Sequence, residues 1–170
     1  MVSLAKTHTY ELTLHWTGDR GTGTSGYRAY SRAHEVTAPG RPPLLGSSDP
    51  TFRGEPDRWN PEQLLLAALA QCHMLSYLHR CVVAGVVVTG YTDNPHGEMA
   101  ETPDGGGHFT EVVLRPRVTV ASPEMVEPAR EQHEAAQRLC FIANSVNFPV
   151  RHEPVIVVAG TPEDKTTSPV

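Results

Sequence analysis

The sequence predicts an α+β fold in which strand hairpins surround one long, buried central helix. Three observations carry this. Residues 60–85 read as a single helix with a start and a stop signal. Strand-like stretches lie in pairs on either side of it, so strands and helices do not strictly alternate. A second helical stripe follows before one last short strand, giving the order ββ(β)–α–ββ–α–β. The chain has 170 residues, enough for one domain with a core of its own. Residues 1–160 are read as that domain and 161–170 as a polar, frayed tail.

The elements follow in order. Residues 10–16 alternate, with Tyr10, Leu12, Leu14 and Trp16 on one face, as in a half-buried strand. Residues 18–26 are glycine-rich. No Gly-Lys-Ser/Thr follows and no helix opens there, so a hairpin loop fits better than a phosphate loop. The expected return strand is 27–36, carrying Arg28. Residues 38–59 form a long Pro- and Gly-rich loop with a short strand at Leu44 and Leu45, and long ordered loops are often functional. The central helix opens on Asn60, Pro61 and Gln63, an N-cap, a first-position proline and a capping box, and stops at Gly85. Its apolar residues cover more than one face, which predicts burial nearly all round. A strand is expected from Val86 to about Met99, a turn at 103–107, and a partner strand over 109–120 with an edge or bulge at Pro116. The second helix starts either at Ser122–Pro123 or near Pro128. Met125, Ala129, His133, Ala136 and Cys140 recur on its inward stripe. Residues 155–158 are the last strand.

Composition narrows the function. The formal charge is −5 and basic residues are scattered, which makes nucleic acid and anionic membrane poor partners. Polar residues interrupt the central helix, against a membrane span. No secretory leader is visible at 1–5, and three widely spaced cysteines make no disulfide framework, so a reducing cytoplasm fits best. The nine histidines show no standard zinc spacing with the cysteines, and the adjacent Cys72 and His73 point about 100° apart on a helix.

Two of the three cysteines can work together. Cys72 and Cys81 face opposite sides of one helix and cannot bond to each other without melting it. Cys81 reads as packing. Cys140 ends a separate helix, and if the two helices pack, Cys72 and Cys140 can meet. Cys72 lies about three turns inside its helix, beyond the reach of the helix dipole, so an inert core cysteine is the plain alternative. A reactive Cys72 needs a cation brought to it. Arg53, Arg58 and Arg28 are the candidates, with Glu62 as the carboxylate that would hold it. Glu62 could equally serve only the helix dipole. Glu62 and Cys72 are ten positions apart, about 15 Å along a straight helix. Either the helix breaks, or Glu62 of one chain serves Cys72 of a second. The second option is preferred: a homodimer with composite sites.

The run Asn60-Pro61-Glu62-Gln63-Leu64-Leu65 with Cys72 ten residues after Glu62, and the later Arg138-Leu139-Cys140-Phe141, resembles the signature of the OsmC/Ohr family of osmotically inducible and organic hydroperoxide resistance proteins. The likeness spans roughly residues 10–158. It implies an OsmC-like fold, an intertwined homodimer, and a cysteine-based peroxidase that reduces organic hydroperoxides and is recycled by an external thiol, with no cofactor. It implies Cys72 as the peroxidatic and Cys140 as the resolving cysteine, with Glu62 holding a catalytic arginine. That arginine is Arg53 by the OsmC pattern or Arg28 by the Ohr pattern, and Arg53 is preferred. His73, where an aromatic is common, and the 38–59 loop depart from the family. A non-catalytic small-molecule-binding or redox-sensing dimer of the same fold is the alternative.

Overall fold

The computed structural model describes residues 6–165. The chain divides into two compact units on either side of the Leu64–Leu65 junction. The first unit holds an antiparallel sheet, β1 (Thr13–Trp16), β2 (His34–Thr37) and β3 (Leu44–Gly46), in that order. Thr13 pairs with Thr37, and His34 with Gly46. Both strands of the expected hairpin are shorter than their patterns. Tyr10 and Leu12 precede β1 and stay 88% and 65% exposed, so the alternating face finds no cover among the described residues.

The return strand starts at His34 rather than at residue 27, because side chains fold residues 18–32 into turns instead. Asp19 Oδ1 accepts from the N–H groups of Gly21 and Gly23 at 2.8 and 2.9 Å. The Arg32 guanidinium lies over the Tyr27 and Tyr30 rings, 4.6 and 4.3 Å from their centroids, and donates to both residues' carbonyls.

The long loop is tied down by two carboxylates. Glu55 accepts from the Ser31 and Ser47 hydroxyls. Burial raises its pKa, but those two bonds and nearby Arg58 win and hold it below the usual range. Asp49 caps a 3₁₀ turn at Pro50–Phe52, accepting from Thr51 N–H at 2.8 Å. A Cβ at Gly54 would stand 1.5 Å from the Ser48 carbonyl oxygen, so only glycine closes this turn. The capping box forms as read: Gln63 N–H donates to Asn60 Oδ1 at 2.8 Å, and Asn60 N–H to Gln63 Oε1 at 3.2 Å.

α1 runs unbroken over Pro61–Val83. It ends in a Schellman turn: Val86 N–H reaches the Cys81 carbonyl at 2.9 Å and Gly85 N–H that of Val82 at 3.2 Å, with Gly85 at φ 71. Burial is confined to one stripe, Leu69, His73, Tyr77 and Cys81. Burial nearly all round is therefore corrected. Leu75 and Val82 are 62% and 78% exposed, because no element among the described residues covers them.

The second unit continues with β4 (Val88–Asp93), β5 (His96–Glu101), β6 (Gly107–Leu114), β7 (Pro116–Val120), α2 (Val126–Leu139), β8 (Val150–His152) and β9 (Val155–Val158). Two three-stranded sheets result, in the orders β4-β7-β9 and β5-β6-β8. The expected strand from 86 to 99 is two strands broken at Asn94–Pro95, and its partner breaks opposite, before Pro116. There Arg115 N–H donates to Asp93 Oδ1 at 2.7 Å, which takes the place of a ladder bond. β8 and β9 add in parallel beside β6 and β7.

α2 begins between the two expected starts, after a 3₁₀ turn at Pro123–Met125, and Pro128 falls in its first turn, where no N–H bond is lost. Its inward stripe is Ala129, His133 and Ala136. One core cluster gathers Tyr77, Cys81, Val86, Val118, Val120 and the two alanines; another gathers Leu69, Val112 and Leu114. Each fully buried Leu or Val contributes about 1.5–3 kcal/mol. Pro162–Lys165 form a 3₁₀ turn, and the rest of the expected tail, 166–170, lies outside the described residues.

Candidate functional site

Cys72 and Cys140 meet. Cys72 stands halfway along α1. Cys140 is the residue that ends α2, in extended backbone at φ −71 and ψ 107. The Cys72 thiol is near enough to raise the pKa of the Cys140 thiol, the neighbours of Cys140 line one cavity with Cys72, and both are free thiols. Cys140 is buried and Cys72 half-buried. Burial pushes the Cys140 thiol up to about 11, helped by its contact with Cys72. The turn after α2 wraps that sulfur: Ala143 N–H points at Cys140 Sγ at 3.4 Å, and Asn144 N–H bonds the Cys140 carbonyl at 3.1 Å.

Cys72 opens onto a cavity of about 700 Å³. Ala68, Cys72, Leu75, Ser76 and His79 line it from one face of α1, and Leu139 and Phe141 from the end of α2. The walls are mainly apolar, and no arginine or lysine is among the lining residues. Cys81 is buried in the core beside Tyr77, and its thiol is pushed up by burial.

The two other site residues lie in or at the edge of the first unit. Glu62 sits in the first turn of α1, and its Oε2 is buried without a hydrogen-bond partner among the described residues. Since α1 does not break, the alternative of a broken helix bringing Glu62 to Cys72 is excluded. Arg53 follows the 3₁₀ turn in left-handed backbone, φ 67, with its guanidinium 5.2 Å from the Tyr27 ring centroid. Arg28 is exposed in the turn before β2, not on a strand as expected. Arg58 donates to the His34 carbonyl at 3.3 Å. No ion pair joins any of these arginines to Glu62 among the described residues.

Beside the thiols lies a cluster that sequence reasoning did not assemble. His73 Nε2 and His133 Nδ1 are 3.0 Å apart, and both side chains are 0% exposed. Their ring centroids are 5.3 Å apart and the planes differ by 7°. With the nitrogens so close, these values describe coplanar imidazoles joined edge to edge by one N–H···N bond. Tyr77 stacks face on against His133 at 4.0 Å, and His152 stands 5.5 Å from His73. Burial, then His152, holds His73 down at about 4. Burial, then His73, His152 and Arg130, holds His133 at about 3. Both rings are therefore neutral at physiological pH. The outer nitrogens, His73 Nδ1 and His133 Nε2, have no partner among the described residues. The available signal was the i, i+4 placement of His73 and Tyr77 between Leu69 and Cys81, with His133 on the inward stripe of the second helix. Among the described residues no group of three or more His, Cys, Asp or Glu could hold a metal ion, and no helix is long and apolar enough to cross a membrane.

Strand hairpins, one long helix and two neighbouring free thiols where that helix meets a second define a mixed α+β protein. The sequence matches the profile described as OsmC-like protein over residues 54–154. An OsmC-like protein of unknown function from Vibrio cholerae is 30% identical, with a TM-score of 0.78 over 88% of this chain and 100% of that one. An organic hydroperoxide resistance protein from Elizabethkingia anophelis is 17% identical, with a TM-score of 0.64 over 90% and 99%. Another from Legionella pneumophila is 18% identical, with a TM-score of 0.62 over 91% and 100%. No curated protein matches in sequence. The chain belongs to the OsmC-like family.

Proposed function

We propose that this protein is a thiol-dependent peroxidase that reduces organic hydroperoxides. The observation that carries the reading is the contact of two free thiols, one opening onto an apolar cavity and one buried. The Cys72 thiolate attacks the distal peroxide oxygen and the O–O bond breaks. The leaving alkoxide takes a proton and departs as an alcohol, and Cys72 becomes a sulfenic acid. Cys140 then attacks that sulfur, and water leaves with the Cys140 proton as the disulfide forms. An external thiol restores both cysteines by exchange. With its pKa raised to about 11, chiefly by burial, Cys140 is a protonated thiol at physiological pH.

The cation this chemistry needs is not among the residues lining the cavity. A homodimer supplies it on this reading: the arginine, Arg53 in preference to Arg28, is held by Glu62 and delivered by a second copy. Two observations support the dimer, the unpartnered Glu62 oxygen and the uncovered apolar side of α1. A reducing cytoplasm suits two free thiols.

The test is peroxide consumption and thiol counting with cumene hydroperoxide and dithiothreitol. Wild type should turn over many times and lose two thiols when the reductant is withheld, and Cys72→Ser should do neither. Consumption unchanged in Cys72→Ser would sink the proposal. The missing cation is the one observation that favours a non-catalytic binding or redox-sensing dimer. That reading gives a single stoichiometric oxidation, or none, and multiple turnovers exclude it.

A further inference from the structure

We propose that the buried His73–His133 hydrogen bond is a positioning device: it holds α1 against α2 in the register at which the Cys72 and Cys140 sulfurs face each other, and so sets how readily they join. The inference rests on the paired-thiol site of the proposed function, but not on a hydroperoxide being its oxidant.

The placement of the four residues is the first argument. His73 follows Cys72 on a continuous helix, one residue and about 1.5 Å further along the axis. His133 precedes Cys140 by seven positions, which returns to nearly the same face of α2 after about two turns. A slide or roll of α1 that breaks the imidazole bond therefore displaces the Cys72 sulfur as well.

The second argument is what else could hold the register. The buried apolar residues of α2 in this contact are Ala129 and Ala136. Alanines present a shallow surface, and apolar burial is non-directional, so neither resists sliding strongly. A coplanar N–H···N bond is directional and weakens steeply as it bends. One further polar link between the helices, Arg80 Nη2 to Gln132 Oε1 at 3.2 Å, uses the residue next to His133.

The third argument is cost. Both imidazoles are fully buried, each keeps an outer nitrogen unpartnered among the described residues, and burial of such groups is unfavourable. Two apolar rings would fill the space at lower cost. The imidazole pair supplies a fixed alignment that they would not.

The test is the equilibrium of the Cys72–Cys140 pair with reduced and oxidised glutathione. Two protein thiols are oxidised to one disulfide as glutathione disulfide is reduced to two thiols. Since no peroxide is involved, a protein without peroxidase activity can still pass. The comparison is wild type, H73F/H133F, which keeps ring packing without the bond, and H73Q/H133N, whose amides place donor and acceptor atoms near the ring nitrogens they replace. Leu114→Val, a packing loss in the sheet, controls for general destabilisation. The equilibrium constant should fall at least tenfold in H73F/H133F, about 30 mV for this two-electron couple. It should recover to within about threefold of wild type in H73Q/H133N, and Leu114→Val should leave it unchanged. If the aromatic pair does not fold, His133→Leu is read in its place. A wild-type constant in H73F/H133F, an equal fall in Leu114→Val, or no disulfide in wild type at any glutathione ratio would each overturn the proposal.

Discussion

Acid should loosen this fold well above the pH at which carboxylates titrate, and the imidazole pair sets the size of the effect. His73 and His133 have an ordinary pKa of 6.5, lowered in the fold to about 4 and about 3. A lowered histidine binds fewer protons folded than unfolded. Its contribution is thus fully present above 6.5 and is lost as pH falls toward the folded value. At about pH 5 each unfolded histidine is protonated while its folded counterpart is still neutral, roughly 1.5 pH units past the unfolded midpoint. At about 1.4 kcal/mol per unit, each ring then costs about 2 kcal/mol and the pair about 4. Neighbours push mostly the same way: His152 on β8 and Arg130 on α2 disfavour a charged His133, burial keeps the Tyr77 and Tyr91 hydroxyls neutral, and Glu134 acts in the opposite sense on His152. A domain holds about 5–15 kcal/mol in total. With a urea m-value of about 2 kcal/mol/M, the unfolding midpoint should drop by about 2 M between about pH 7.5 and pH 5. H73F/H133F should lose most of that drop. A midpoint that shifts by less than about 0.5 M in wild type, or a full shift kept in H73F/H133F, would refute the reasoning.

Three further outcomes are expected. Cys140→Ser should leave Cys72 halted as a sulfenic acid after one equivalent of peroxide, detected as a dimedone adduct by mass spectrometry; an immediate return of the free thiol would show that no resolving partner is needed. Asn60→Ala removes the acceptor for Gln63 N–H and should cost about 1 kcal/mol in urea unfolding. Glu55→Gln weakens the bonds from the Ser31 and Ser47 hydroxyls, so limited proteolysis should cut within residues 38–59 faster than in wild type; an unchanged cleavage rate would mean that Asp49 alone orders the loop.

What the sequence displayed well was whatever local chemistry determines. Asn60, Gln63 and Gly85 marked both ends of the long helix because caps are short-range bonds. Pro116 marked a break because proline has no N–H to give. The inward stripe of the second helix was legible from spacing, and with it the approach of Cys140 to Cys72. Other features depended on contacts that no spacing records. Arg32 between two tyrosines and Asp19 beneath two glycines turned residues 18–32 away from strand. The apolar excess of the long helix looked like all-round burial, because a pattern cannot distinguish a face covered by its own chain from one left open. The bond between His73 and His133 spans 60 positions and joins two helices, so no local spacing in the sequence records it.

The parallel pairings of β6 with β8 and β7 with β9 close across the whole of α2, which has a consequence for how the chain is born. Cys72 leaves the ribosome 68 residues ahead of Cys140, several seconds at about 5–20 residues per second. Strand pairings over such separations are slow to form. Throughout that interval the first sulfur has no mate. On the proposed function, reactivity that depends on two thiols is thereby withheld from the nascent polypeptide and arrives late in its maturation.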